Sequence, residues 1–219
     1  MSNQIKLQKA YIKVQREKTG EVTYGGDQGF FREEKPLCKY QSGCGVVAFL
    51  DLLLYLTDTD REVSEKVYKD YFNQIYSLIG GIPFMSGISG LKLQFKFNWI
   101  ARQRHWKVRA KWGLSGKKLF SRVKEMLQKD IPVILCIPHM IRKKDKKDKL
   151  AFYKKETFEK VQETSSHYVM ITGIVQKEKE IYFSISSWGK EYYINWKEYD
   201  TYMNTHFLGK ILGNILYIR

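Results

Sequence analysis

The sequence predicts an α+β fold, in which an α-rich N-terminal half packs on an antiparallel β-sheet half. The first observation is an apolar run of helical length that follows Gln41-Ser42-Gly43-Cys44 and contains Asp51 as its only charge. Such a run is too long for an ordinary strand, and the Ser-Gly turn signal marks its start. The second observation is the chain from Trp106 onward, where short alternating or apolar segments are typical of strands.

The length and composition suit one domain. The chain has 219 residues, of which 43% are hydrophobic, enough for a sizeable core. We divide the domain, residues 1–219, into an N-terminal β extension (1–36), an α-rich half (37–105) and a β-rich half (106–219).

The N-terminal extension is predicted to form a β-hairpin. Alternation over residues 4–16 predicts a strand, which turns through Lys18-Thr19-Gly20 into a second strand at Val22–Tyr24. A loop follows at Gly25–Gly29. Its glycines would suit a phosphate, but no Lys-Ser/Thr pair follows and the P-loop pattern is absent, so we interpret it as a turn.

The helical half is predicted to contain three helices. The helix that begins near Cys44 ends at Thr57–Asp60, where Thr59 or Asp60 caps a second helix from Glu62 to about Ile79. The third segment, residues 91–99, fits a strand by its alternation and a helix by the four-residue spacing of its largest apolar side chains. We predict a helix there, because glycines precede the segment.

The β-rich half is predicted to alternate strands with two helices. The predicted strands are Val108–Trp112, Pro132–Pro138, His167–Val175, Ile181–Ser186 and Ile211–Ile218, and the helices are Lys117–Lys129 and Trp196–Met203. We interpret the charge run Arg142–Lys149 as a solvated loop rather than a patch for anionic ligands.

The formal net charge is +15 at pH 7. This excess bears on solubility and nonspecific binding rather than on fold. We expect no specific binding to nucleic acid, because no recognised nucleic-acid motif is present. No apolar stretch reaches membrane-spanning length, and the N-terminus lacks the apolar core of a signal peptide, so we expect a cytoplasmic protein.

The cysteine pattern indicates neither disulfides nor zinc. The three cysteines, Cys38, Cys44 and Cys136, do not suggest a disulfide framework. No Cys-x-x-Cys motif or His pair at zinc-ligand spacing occurs. We therefore expect no metal and no cofactor, and the oligomeric state stays open.

Cys44 is a candidate nucleophile. Unpaired N–H groups and the macrodipole at a helix N-terminus favour a thiolate, so we expect Cys44 to be largely ionised near neutral pH. Cys136 lies in an apolar segment and is predicted to be inert, whereas Cys38 lies in a predicted loop. The alternative for Cys44 is a core cysteine under a core helix.

Two downstream motifs favour the nucleophile. His167 opens a predicted strand, and the next strand ends in Ser186-Ser187-Trp188-Gly189. This order resembles the papain-like cysteine peptidases, whose third motif reads Asn-Ser-Trp-Gly. The resemblance spans roughly Gln41 to Tyr199. Cys-Gly followed at once by an apolar helix is more similar to the branch that includes the leader peptidases fused to bacteriocin exporters.

The resemblance implies a papain-like fold, a peptide or protein substrate and a role for each motif residue. Cys44 attacks a carbonyl, His167 is the base, and Ser186 orients the histidine where the family has Asn or Asp. Trp188 shields that contact or is simply a core aromatic. Gln41 is the candidate oxyanion donor. The family has a glutamine six residues before the cysteine, where this chain has Cys38.

Some alternatives stay open. If Gln41 and Cys44 are matched to the papain motif Gln-x-x-Cys-Gly-x-Cys, the nucleophile position falls on Val47. We reject this match because Cys44 starts the predicted helix. His139 is a rival base, although it opens no strand. Asp51 is interpreted as a structural polar group. The function is predicted as a cysteine hydrolase; the alternatives are an inactive binding module of the same fold and a transglutaminase-type acyltransferase.

Overall fold

A computed structural model describes residues 4–58, 61–81, 87–113, 118–138, 149–204 and 213–219. The helices in these residues are α1 (Cys38–Ser42), α2 (Cys44–Thr57), α3 (Glu65–Ile79), α4 (Gly90–Gln103), α5 (Leu119–Gln128) and α6 (Trp196–Asn204). The strands are β1 (Ile5–Lys6), β2 (Lys13–Gln15), β3 (Val22–Tyr24), β4 (Glu62–Ser64), β5 (Ala110–Trp112), β6 (Val133–Ile137), β7 (Leu150–Lys154), β8 (Lys160–Thr164), β9 (His167–Lys177), β10 (Glu180–Ser187), β11 (Lys190–Asn195) and β12 (Ile215–Ile218).

A large antiparallel sheet forms the β-rich half. Within the described residues its strands follow the order β5-β12-β6-β9-β10-β11-β7-β8, and β1 pairs with β9 beside this path. A small second sheet has the order β3-β2-β4. The α+β prediction is confirmed. Strands β7 and β8 were not predicted, because the sequence between the charge run and His167 shows no clear apolar alternation.

Helix α2 is the centre of the helical half. Its residues from Gly45 to Tyr55 are all buried, and the helix packs on β9, β6 and α3. The predicted helical run is therefore confirmed as a core helix with Cys44 as its first residue. It ends at Thr57, after which Asp58 adopts a left-handed conformation.

One boundary in this half differs from the prediction, and one ambiguous segment is settled. The second helix begins at Glu65 rather than Glu62, because residues 62–64 pair in parallel with β2 and Ser64 then accepts a hydrogen bond from Val67 N. Thr59 and Asp60, the expected caps, lie outside the described residues. The segment 91–99 is helical, as predicted, and Ser89 caps α4 by accepting a hydrogen bond from Lys92 N.

The N-terminal extension is divided between the two sheets. The β2–β3 hairpin is confirmed, but the single strand predicted over residues 4–16 is two strands, because β1 turns away to pair with β9. The backbone N–H of Tyr24 also donates to Gly189 O at 2.8 Å. The extension therefore touches the large sheet at the turn between β10 and β11 as well as along β9. No described helix is long and apolar enough to cross a membrane.

Candidate functional site

Cys44 and His167 lie at the starts of two elements that pack together. Cys44 is the first residue of α2 and is partly exposed, whereas His167 is the first residue of β9 and is buried. Both side chains line one small cavity of about 20 Å³, roughly the space of a single water molecule. The structure therefore brings together the two residues that the sequence singled out as nucleophile and base.

The ring of His167 is held on one edge and one face. Its Nε2 atom lies 2.8 Å from the hydroxyl oxygen of Ser187. The indole ring of Trp188 stacks on it with centroids 4.2 Å apart and planes inclined by 13°. These two contacts restrict the ring orientation and engage Nε2, so Nδ1 is the ring nitrogen without a hydrogen-bond partner among the described residues.

The histidine partner is Ser187, which corrects the sequence-based choice of Ser186. Successive side chains of a strand point to opposite faces, so the two hydroxyls have different surroundings. Ser186 lines the same cavity, but its hydroxyl donates to Tyr24 O at 2.7 Å. Ser186 thus fastens β10 to the N-terminal extension.

The amide in the cavity belongs to Gln28, whereas Gln41 is exposed and is not among the residues that line it. The Gln28 amide nitrogen donates to Tyr40 O at 2.8 Å. Its Oε1 atom is buried without a hydrogen-bond partner among the described residues. Gln28 was not predicted from the sequence, where its only signal is its place in a glycine-rich loop that precedes a Phe-Phe pair.

Asp51 fixes the loop that carries Gln28. Its buried carboxylate accepts hydrogen bonds from Tyr11 Oη at 2.9 Å, from Tyr68 Oη at 2.7 Å and from the backbone N–H of Gly26 at 3.0 Å. Asp51 also lines the cavity, two helical turns beyond Cys44. These contacts agree with the interpretation of Asp51 as a structural polar group, and they show that it holds the backbone of the loop at Gly26.

The adjacent glycines Gly25 and Gly26 of the loop are required by this close approach. A Cβ atom on Gly25 would lie 2.4 Å from Ser186 Oγ and 2.7 Å from Asp51 Oδ2, and Gly25 has a φ of +78°. A Cβ atom on Gly26 would lie 1.8 Å from Tyr68 Oη. Only glycine lets the backbone pass this near to α2 and β10, so the Gly-Gly pair serves packing rather than phosphate binding.

Burial sets the protonation of both reactive groups. It raises the pKa of the Cys44 thiol above its ordinary value, although backbone N–H groups of Tyr168, Gly45 and Cys44 itself act in the opposite direction. It also lowers the pKa of His167 to about 3. In the free protein these shifts favour a neutral thiol beside a neutral imidazole, the opposite of the thiolate expected from the helix N-terminus alone.

The other predicted candidates lie elsewhere. Burial raises the pKa of Cys136 to about 12, which agrees with an inert thiol. Cys38 is buried at the start of α1 rather than in a loop, and its sulfur lies 3.1 Å from Tyr76 Oη. His139 and most of the charge run lie outside the described residues. The part of the chain that the structure describes contains no group of three His, Cys, Asp or Glu side chains able to hold a metal ion.

Comparison with known protein families identifies a match. A model of the Peptidase C39-like family matches residues 28–208, most of the chain. No curated protein matches the chain, and no solved structure does. The family match and the antiparallel sheet packed with helices together show the fold of the papain-like cysteine peptidase superfamily. They indicate a function of the cysteine peptidase type.

Proposed function

Because the chain belongs to the Peptidase C39-like family, we propose that it cleaves peptide bonds with Cys44 as nucleophile and His167 as general base. The observation that supports this most is the shared cavity, in which a cysteine at a helix N-terminus and a buried histidine meet a side-chain amide. These are the three kinds of group that covalent acyl transfer needs.

The reaction begins from the neutral pair. With Nε2 of His167 donating to Ser187 Oγ, Nδ1 accepts the thiol proton as the Cys44 sulfur attacks the scissile carbonyl carbon. The carbonyl π pair moves to oxygen and gives a tetrahedral oxyanion. The imidazolium then returns its proton to the leaving amine as the C–N bond breaks, which leaves a thioester on Cys44. Water hydrolyses this thioester with His167 again as the base.

Gln28 is the proposed donor to the oxyanion, in place of Gln41. Its amide nitrogen has two hydrogens, of which Tyr40 O takes one. The backbone N–H of Cys44, at the helix N-terminus, is the second proposed donor. Ser187 acts as a positioning residue, and Trp188 covers the imidazole face.

A specific observation favours a second candidate, a binding module without activity. The hydrogen-bond partner of His167 is a neutral serine, and burial disfavours the imidazolium that the reaction requires. In that case the cavity would bind a peptide without cutting it. The transglutaminase-type reading differs from the peptidase only in the acceptor, an amine in place of water.

A peptide library separates these functions. We expect wild-type protein to cut a library made by digesting a cell extract, with new termini read by mass spectrometry. Cys44→Ala should abolish every cut, whereas Cys38→Ala should leave the pattern unchanged, because Cys38 does not line the cavity. Coupling of an added amine to new C-termini would identify acyl transfer. Retention of peptides by both wild type and Cys44→Ala with no cutting would identify the binding module.

A further inference from the structure

Helix α4 exposes an apolar stripe, defined as Leu91, Phe95 and Trp99. Their exposed fractions are 57%, 65% and 44%. Four-residue spacing places them on one face, opposite the buried face of the helix. The other large hydrophobic side chains exposed in the described residues are Val22, Leu37, Val67 and Val161. Those four lie singly on different elements, whereas α4 concentrates three on one helix face.

The stripe belongs to a segment without negative charge. No Asp or Glu occurs in residues 71–124, a stretch that contains eleven Lys or Arg. Arg102 is exposed and lies on the face of the stripe, since it follows Trp99 by three residues and Phe95 by seven. None of the described ion pairs includes a basic residue from Lys92 to Lys111. Their positive charge is therefore not neutralised within the described chain.

The lysines beside the stripe are oriented by backbone carbonyls. Lys96 Nζ donates to Leu78 O at 2.7 Å, and Lys92 Nζ donates to Gly81 O at 3.4 Å, at the C-terminal end of α3. Carbonyl oxygens at a helix C-terminus favour the charged ammonium. The stripe is consequently bordered by fixed positive charges on one side and by Arg102 at its C-terminal end.

We propose that α4 docks the protein on the surface of an anionic lipid bilayer, with the apolar stripe at the boundary between headgroups and acyl chains. A surface helix with Leu, Phe and Trp on its outer face and Lys or Arg beside them has the composition of an interfacial helix. Each cation near an anionic membrane adds electrostatic attraction to the lipid headgroups. The proposal concerns a surface apart from the Cys44 cavity and does not depend on the peptidase function.

The shape of this region favours a bilayer over a peptide partner. A groove of about 370 Å³ between α2, α3 and α4 is lined in part by Trp99 and Trp106. A helix bound in that groove would contact Trp99 but would leave Leu91 and Phe95, which do not line it, in water. A bilayer is a continuous surface, so it covers the whole outward face of α4 at once.

Vesicle binding of the full chain tests the proposal. We expect sedimentation with vesicles of phosphatidylcholine that contain about one third phosphatidylglycerol, and at least about tenfold weaker binding to pure phosphatidylcholine. The double variant Phe95→Ser/Trp99→Ser should lower the partition coefficient about tenfold or more. Its matched control, Val67→Ser/Val161→Ser, removes two exposed hydrophobic side chains elsewhere and should bind as wild type does.

Charge and fluorescence variants complete the test. Arg102→Gln should weaken binding by a few fold, whereas Lys190→Gln, which removes an exposed lysine from the start of β11, should not. Trp99→Phe should retain binding but lose the part of the vesicle-induced blue shift that Trp99 contributes. Failure of wild type to bind the anionic vesicles would overturn the proposal. Equal losses of vesicle binding in Phe95→Ser/Trp99→Ser and in Val67→Ser/Val161→Ser would also overturn it. Binding only to an acidic amphipathic peptide, quenched at Trp99, would assign the face to a protein partner instead.

Discussion

The cavity of Cys44 has two walls with contrasting polar surroundings. The histidine wall, His167 with Ser187 and Trp188, offers the imidazole one hydroxyl and one aromatic face. The amide wall, the Gly25–Gln28 segment, is fixed by the Asp51 carboxylate, which accepts hydrogen bonds from three different groups. Burial disfavours the charged form on both walls, lowering the pKa of His167 to about 3 and raising that of Asp51 to about 6.

The contrast suggests a division of labour. A buried carboxylate that accepts several hydrogen bonds recovers part of the solvation that burial removes, and it holds its neighbours in one arrangement. An imidazole with one neutral partner can take and return a proton without breaking a network. We therefore expect variants of the histidine wall to change both the rate of reaction and the pH dependence of stability, and variants behind the amide wall to change stability and its pH dependence.

The largest expected effect is on the histidine wall itself. His167→Ala removes the proposed base for the thiol proton, so we expect the kcat/KM for peptide cleavage to fall about a thousandfold or more. His105→Asn is the matched control, because His105 is an exposed histidine with a positive φ that asparagine tolerates. Equal activity of His167→Ala and wild type would remove the proposed base.

The second prediction compares the two walls by their linkage to pH. The lowered pKa of His167 gives a contribution to stability that is present above about pH 6.5 and lost as the pH falls toward 3. The raised pKa of Asp51 gives a contribution to stability that is present below pH 3.8 and lost as the pH rises through about 6. Between about pH 4 and 6 the two slopes oppose each other, so the free energy of unfolding of wild type should be nearly flat.

Single variants should expose each slope. In Asp51→Asn the free energy of unfolding should rise by about 1.4 kcal/mol per pH unit from pH 4 to 6, because only the His167 contribution remains. In His167→Gln it should fall by a similar amount over the same range. Urea unfolding at several pH values measures both, with Asp70→Asn, at an exposed site on α3, as the control that stays flat. A flat profile in Asp51→Asn would contradict the opposing slopes.

The third prediction concerns the two glutamines. Gln28→Ala removes the proposed oxyanion donor, so kcat should fall about a hundredfold with little change in KM. Gln41→Ala removes an exposed amide outside the cavity and should leave both constants unchanged. The reverse result, a loss for Gln41→Ala alone, would restore the assignment made from the sequence.

The sequence predicted the helix and the strand that carry Cys44 and His167, but it did not predict which other side chains lie beside them. The apolar run after Cys44 and the strand opened by His167 were both predictable, since periodicity and turn residues determine them locally. Gln28 was not, because it stands sixteen residues before Cys44 and reaches the cavity only through the contact of Gly26 with Asp51. The family spacing counts residues along the chain from the cysteine to the glutamine. The residues that line the cavity are instead brought together by tertiary packing.

Tertiary packing also determines the protonation of Cys44 and which of the two serines at the end of β10 faces His167. The helix N-terminus of Cys44 is visible in the sequence, but the desolvation that opposes it depends on how the helix is covered. Which of two adjacent serines faces a histidine depends on register, and the β9–β10 pairing shifts between Ser184 and Ile185. A motif that is matched residue by residue along the sequence contains no information about such a shift in strand pairing.

The smallest predicted effect separates those two serines. Ser187→Ala leaves Nε2 of buried His167 without its observed partner, so the imidazole loses the contact that fixes its tautomer and orientation. We expect kcat/KM to fall about tenfold, with its dependence on pH altered. Ser186→Ala removes instead the hydrogen bond to Tyr24 O, so unfolding should become easier by about 1 kcal/mol while kcat/KM stays close to wild type. Steady-state kinetics and urea unfolding on both variants give the comparison. A larger rate loss in Ser186→Ala than in Ser187→Ala would return the orienting role to Ser186, and with it the family's spacing.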